Sequence, residues 1–151
     1  MKLRLRVQYG TDRSGLPAST TIRRWASAAL CGINRRRVNL GVRIVGSAES
    51  GVLNRRYRRR RGPTNVLSFP FNPPTGLRSD LLGDLVICAP VVRREARQQQ
   101  KNLRAHWAHM VVHGILHLRG YDHLNRRDAT VMETKEIRIL GKLGFPNPYL
   151  S

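Results

Sequence analysis

His113-Gly-Ile-Leu-His117-Leu-Arg-Gly120-Tyr-Asp-His123 is the stretch on which the reading of this chain turns. All five histidines of the sequence fall between His106 and His123. His113 and His117 are four apart, so on a helix they project from one face, about 6 Å apart along its axis. Gly120 takes the left-handed conformation that ends a helix, and the returning chain brings His123 to the same point. Three neutral imidazoles then hold one divalent ion and leave a position open for water, the arrangement of a catalytic zinc site. His109 and His113 are also four apart, so the site can start one turn earlier, but only the later triple uses Gly120 and His123. His106 and His109 read as packing or supporting groups. Asp122, beside the third ligand, is placed either to orient an imidazole through its second ring nitrogen or to shape the turn.

The spacing of the three histidines and the glycine is similar to the H-E-x-x-H-x-x-G-x-x-H pattern of metzincin proteases. The second position departs from it: Gly114 stands where those proteases place their glutamate base. A metalloenzyme scaffold is expected, without the usual base for peptide hydrolysis.

Outward from the motif, the histidine helix starts near Leu103 and packs through Trp107, Met110, Val111, Ile115 and Leu118. A last helix runs from about Asp128 to Leu143, stopped by Gly144 and Pro146. Upstream, Leu85-Val-Ile-Cys-Ala89 is an apolar run typical of a strand buried on both faces, and Pro90 opens a helix to about Gln100. Asn65 to Phe71 reads as a strand that Pro70 places at an edge or ends. Ser47 opens a helix to about Tyr57, with Val52, Leu53 and Tyr57 inward. Leu3, Leu5 and Val7 alternate with charged residues as a first strand, and Val38 to Val45 alternates as another. Between these two, Ser19-Thr20-Thr21 starts a helix whose apolar face is Ile22, Trp25, Ala26, Ala29, Leu30 and Ile33. The expectation is one α+β domain over 1–151, a small mixed sheet of about four strands packed with about five helices.

Lysine and arginine total 28 against 9 acids, a net charge of +19. The excess is mostly arginine, grouped at Arg35–Arg37, Arg55–Arg56 and Arg58–Arg61. Such a field attracts polyanions, and the planar guanidinium suits phosphate. Aromatic residues are only 6% of the chain, which argues against a stacking platform for bases. No apolar run is long enough to span a membrane, and the charged N-terminus reads as a strand, not a signal peptide. Cys31 and Cys88 lack a Cys-x-x-Cys pairing and are expected as buried, reduced thiols of a cytoplasmic protein.

The histidine segment resembles the signature of the YbeY family of bacterial rRNA maturation endoribonucleases. Four further segments agree in the same order: Leu53-Asn54-Arg-Arg-Tyr57-Arg58, Pro63-Thr-Asn-Val-Leu-Ser-Phe69, Leu82-Gly-Asp-Leu-Val-Ile87 and Pro146-Asn-Pro-Tyr149. The resemblance implies one Zn2+ per chain on His113, His117 and His123, and a catalytic arginine at Arg58. It also implies cleavage of single-stranded RNA, maturation of the 16S rRNA 3′ end, ribosome quality control, and ribosomal small-subunit partners. Arg55, Arg59, Arg60 and Arg61 are candidates for binding the RNA backbone. Arg61 stands where family members often carry an acidic residue, so this loop is more basic than theirs. The group responsible for proton transfer is left open among Asp122, solvent and the RNA 2′-hydroxyl. The alternative from another class is a non-catalytic RNA-binding assembly factor with structural zinc. A metalloprotease is disfavoured by Gly114.

Overall fold

In the computed structural model, which describes residues 1–150, four strands and five helices follow the order β1 (Lys2–Tyr9), α1 (Ser19–Ala29), β2 (Arg37–Val45), α2 (Ser47–Arg58), β3 (Val66–Pro70), β4 (Leu81–Cys88), α3 (Ala89–Gln98), α4 (Leu103–Leu118), α5 (Arg126–Lys142). Ser151, the last residue of the expected domain, lies outside the described residues. The sheet order is β1-β2-β4-β3; β1, β2 and β4 are parallel, and β3 runs antiparallel at the edge. The expected α+β class, the four strands and the five helices are all present. Pro70 closes β3, as a residue without an N–H donor does at an edge.

Alternation along the strands divides the sheet into two unequal faces. Leu40, Val42 and Ile44 of β2, Val66 of β3, and Leu82, Leu85 and Ile87 of β4 join the main core with residues of α1, α4 and α5. The other face buries a smaller cluster, Val45, Leu67, Val86, Cys88 and Val91, against which Leu53 of α2 and Phe69 pack. Towards β1 that second face is left polar, with Arg4, Arg6 and Gln8 exposed.

One strand boundary and one helix face differ from expectation. β4 begins at Leu81, well before Leu85, because backbone pairing with β2 extends the strand beyond its apolar run. On α2, Val52 is 64% and Tyr57 is 56% exposed, so of the expected inward residues only Leu53 packs on the buried cluster, and Tyr57 touches Phe69 from the surface. The buried side of that helix is polar instead. Ser50 Oγ donates to Thr64 O at 3.1 Å and Asn54 Nδ2 to Gly62 O at 2.9 Å, fastening the loop before β3. Ile33 lies beyond the end of α1 and is only partly buried, and Cys31 is exposed where burial was expected.

Helix α4 carries the site, and its seat on the sheet is unusually close at Gly114. A Cβ there would lie 2.8 Å from Leu85 Cδ2 and 3.2 Å from Val66 Cγ2, both core residues. Ser68 Oγ of the edge strand donates to Gly114 O at 3.1 Å, fixing the depth of the helix. Position 114 faces the sheet, and the glutamate of the metzincin pattern has no room there. Gly114→Glu is therefore expected to lower stability by ~3 kcal/mol or more through overpacking and a buried charge, measured by urea denaturation. Wild-type stability in that variant would show that α4 sits further from the sheet.

Candidate metal centre

The end of α4 is built as the spacing implied. Arg119 is the C-cap, Gly120 follows at φ +97°, and the N–H groups of Gly120 and Tyr121 donate to His117 O and Leu116 O, each at 3.0 Å. This six-to-one closure with a left-handed glycine is the Schellman turn. It reverses the chain so that His123 returns beside His113 and His117. Ring centroids are 4.7 Å apart for His113 and His117, 5.0 Å for His117 and His123, and 5.8 Å for His113 and His123. One ring nitrogen from each lies within 4.8 Å of the others. Three imidazole nitrogens this close together form a donor set that could hold one metal ion.

The burial gradient gives the site a closed back and an open front. His123 is exposed, His117 is half-buried and His113 keeps 24% of its side-chain exposure. Burial, and then the neighbouring His113 and His123, hold the His117 ring below the ordinary imidazole range. A neutral ring is the form that ligates.

Behind the triad stands a residue that the sequence reading did not single out. Glu136 of α5 is fully buried, and its carboxylate receives His113 Nδ1, His109 Nε2 at 3.3 Å and the Tyr149 hydroxyl. Burial opposes its ionisation, but the hydrogen bonds from His109, His113 and Tyr149 outweigh that and hold it at about 2. The Tyr149 hydroxyl is correspondingly pushed up by burial and by the carboxylate it bonds. Because Glu136 takes the Nδ1 proton of His113, that ring presents Nε2 to the front, the arrangement by which carboxylates orient metal-ligating histidines. His109, His113 and Glu136 also have ligand atoms within 4.8 Å of one another. They are the buried support of the exposed triad, since each Glu136 oxygen already accepts a hydrogen bond. A signal was present in the sequence: Glu136 lies on the buried stripe of α5 with Met132, Ile139 and Leu140. A carboxylate on an apolar stripe must find partners.

The other candidates fall in different places. Asp122 Oδ1 accepts the His123 backbone N–H at 2.7 Å, so its carboxylate shapes the turn. His106 is buried against Glu95, Nε2 to Oε1 at 2.9 Å, further back along α4. Arg58 ends α2, which packs through Leu53 on the face of the sheet opposite α4. Tyr57 lies edge-on to Phe69 at 5.2 Å, so the end of α2 reaches the same end of the sheet as the histidines but across β3. Arg55, Arg58, Arg59, Arg60 and Arg61 are all exposed there. Sequence separation gave no indication of which face α2 would take.

Replacing Glu136 by glutamine is expected to weaken zinc affinity roughly 10- to 100-fold in a chelator competition, the usual effect of losing such a carboxylate. It also changes the acid limb of stability. A carboxyl held below its ordinary 4.5 contributes stability that is present above that pH and lost as pH falls towards about 2. Denaturation of the metal-free protein across that window should show a slope that Glu136→Gln flattens.

These features have counterparts in known proteins. The family model described as Endoribonuclease YbeY matches residues 12–144. The Endoribonuclease YbeY of Methylococcus capsulatus is 57% identical over 136 residues, covering 90% of this chain and 89% of that protein. That of Alcanivorax borkumensis is 51% identical over 147 residues, covering 95% and 84%. A Thermotoga maritima protein solved in solution superposes with a TM-score of 0.58 at 22% identity, over 98% of this chain and 100% of its own, a likeness of fold. With these matches running through the histidine turn and nearly the whole chain, the protein belongs to the Endoribonuclease YbeY family.

Proposed function

We propose that this protein is a zinc-dependent endoribonuclease that cuts single-stranded RNA, with His113, His117 and His123 as ligands of one Zn2+ and residues 1–151 acting as one domain. The observation that carries the reading is the half-open triad of imidazole nitrogens, backed by a buried carboxylate and set in a chain of net charge +19. Structural zinc is normally closed by four protein ligands, and here the front is exposed. Zinc bound there supplies Lewis-acid polarisation of a phosphoryl oxygen and a water of lowered pKa.

The chain's own residues divide the remaining work. Glu136 keeps His113 in one tautomer and, buried with three hydrogen bonds, is no proton acceptor for substrate. Asp122 holds the His123 turn. With no carboxylate at position 114, the proton lost by the attacking oxygen, that of water or of the RNA 2′-hydroxyl, passes to solvent. Arg58 stabilises the charge that grows on the scissile phosphate, reaching it round the edge at β3, while its neighbours Arg55, Arg59, Arg60 and Arg61 grip the strand and neutralise phosphates near the cut. The resemblance extends the proposal to maturation of the 16S rRNA 3′ end, ribosome quality control and small-subunit partners in the cytoplasm. Among the described residues no helix is long and apolar enough to cross a membrane.

Zinc-loaded protein should cleave single-stranded rRNA fragments, and His117→Ala should lose both the metal and at least about 100-fold in rate. Cleavage that survives His117→Ala would remove the histidines from the reaction. Full zinc occupancy in His123→Ala, read by elemental analysis, would remove the third ligand.

Arg58→Glu is expected to cut kcat/KM by about 100-fold or more, mainly through kcat, with zinc content and Tm unchanged. A fall confined to KM would put the guanidinium on the flanking strand instead.

A further inference from the structure

The end of the sheet that carries the histidines also holds positive charge that the triad does not use. β1 and β2 both begin there, with Lys2 opposite Arg37 in register. Lys2 N–H donates to Arg36 O at 2.8 Å, which fixes the Arg35–Arg37 run as it enters the sheet. Facing it, the loop bearing Arg78 is tied back by Asn39 N–H donating to Asp80 O at 2.8 Å. Between them lies an open depression of about 1100 Å³, lined by Lys2, Arg35, Arg36, Arg37 and Arg78, with Asp80 its single acidic residue.

These five cations are exposed, and among the described residues none has a carboxylate within ion-pair distance. Among the described residues the lysine and arginine ion pairs are Arg6–Asp84 and Arg43–Glu49. Five like charges gathered around a single carboxylate, Asp80, keep a net excess of four that repel one another and raise the local potential, and a polyanion relieves both. Ile33 and Leu77, the latter 63% exposed, add small apolar surfaces to the lining, but no aromatic ring. That composition favours grip on a sugar–phosphate backbone over reading of bases.

The depression is coupled to the histidine turn through the chain. Arg119, inside the motif, donates to Ala29 O at 2.8 Å and so fastens the end of α1. The segment leaving that end carries Ile33 and Arg35 directly into the depression. Leu118 at the end of α4 adjoins Gly83, which pairs with Leu40 near the start of β2. A strand held at the triad and continuing past α1 therefore meets these cations.

We infer that this depression is a second, sequence-independent subsite for the phosphate backbone of the single-stranded RNA flanking the cut. The inference rests on the reading of the protein as an RNA-cleaving enzyme and concerns residues outside its proposed metal and Arg58 regions.

The test compares zinc-loaded wild type with the triple variant Arg35→Ser/Arg36→Ser/Arg78→Ser, using 2′-O-methyl oligouridines of about six and about twenty nucleotides over a range of salt. The long strand should lose at least about tenfold in affinity, and its log–log salt slope should fall by about 0.7 for each phosphate contact removed. The short strand should change less than about twofold, with zinc content and Tm unaltered. Equal losses for both lengths, or none, would overturn the subsite, as would failure of the wild type to bind the long strand. Competition by polyglutamate as strong as by unlabelled oligouridine of equal charge would also overturn it, in favour of an acidic protein partner. If the wild type binds the long strand with the expected length dependence yet cannot cut a cleavable RNA, the endoribonuclease reading falls and the subsite stands.

Discussion

Helix α4 approaches the sheet so closely at Gly114 that any side chain there would overlap Leu85, and the rest of the molecule depends on that approach. It sets the depth of the helix through the Ser68 hydrogen bond to Gly114 O. It also sets the rotation, because the residue after His113 must face the strands and His113, about 100° round the helix, must then point to their side. The Schellman turn at Gly120 closes the arrangement by carrying His123 back along the same side. A helix seated further out would keep its histidines in sequence and lose their convergence.

The second dependence is electrostatic. A fully buried carboxylate is costly to desolvate, and Glu136 offsets this with donors from His109, His113 and Tyr149. Those donors come from α4 and from the segment after α5, so one charge ties three parts of the chain to the back of the site. The same bonds that make the charge tolerable also fix the His113 ring. Support and stability are therefore one interaction. This is why the interior of an otherwise apolar contact between α4 and α5 retains an acid.

The sheet separates chemistry from charge. Its helical face buries α1, α4 and α5 against aliphatic strand residues, while its other face keeps α2 over a smaller cluster and leaves Arg4, Arg6 and Gln8 in water. The histidines and the arginine-rich end of α2 consequently share one end of the sheet but lie on opposite faces. An RNA strand that uses both must pass around the edge formed by β3.

Much of this was legible from residue order alone. The four-residue spacing of His113 and His117, with Gly120 before His123, dictates convergence through local backbone geometry, and local geometry is what a sequence encodes most directly. Strand alternation and the helix stops at Gly144 and Pro146 belong to the same short range, as does the edge placement of β3 signalled by Pro70. The polar inner side of α2 did not follow from its pattern, because Ser50 and Asn54 are buried only by a loop that folds back over them. Glu136 and Tyr149 as supports of His113, the side of the sheet taken by Arg58, and the meeting of Lys2, Arg35 and Arg78 were decided by tertiary structure. Each joins residues far apart in the chain, and their proximity depends on which face each helix packs against, a choice set by the burial of the whole core and not by any one segment.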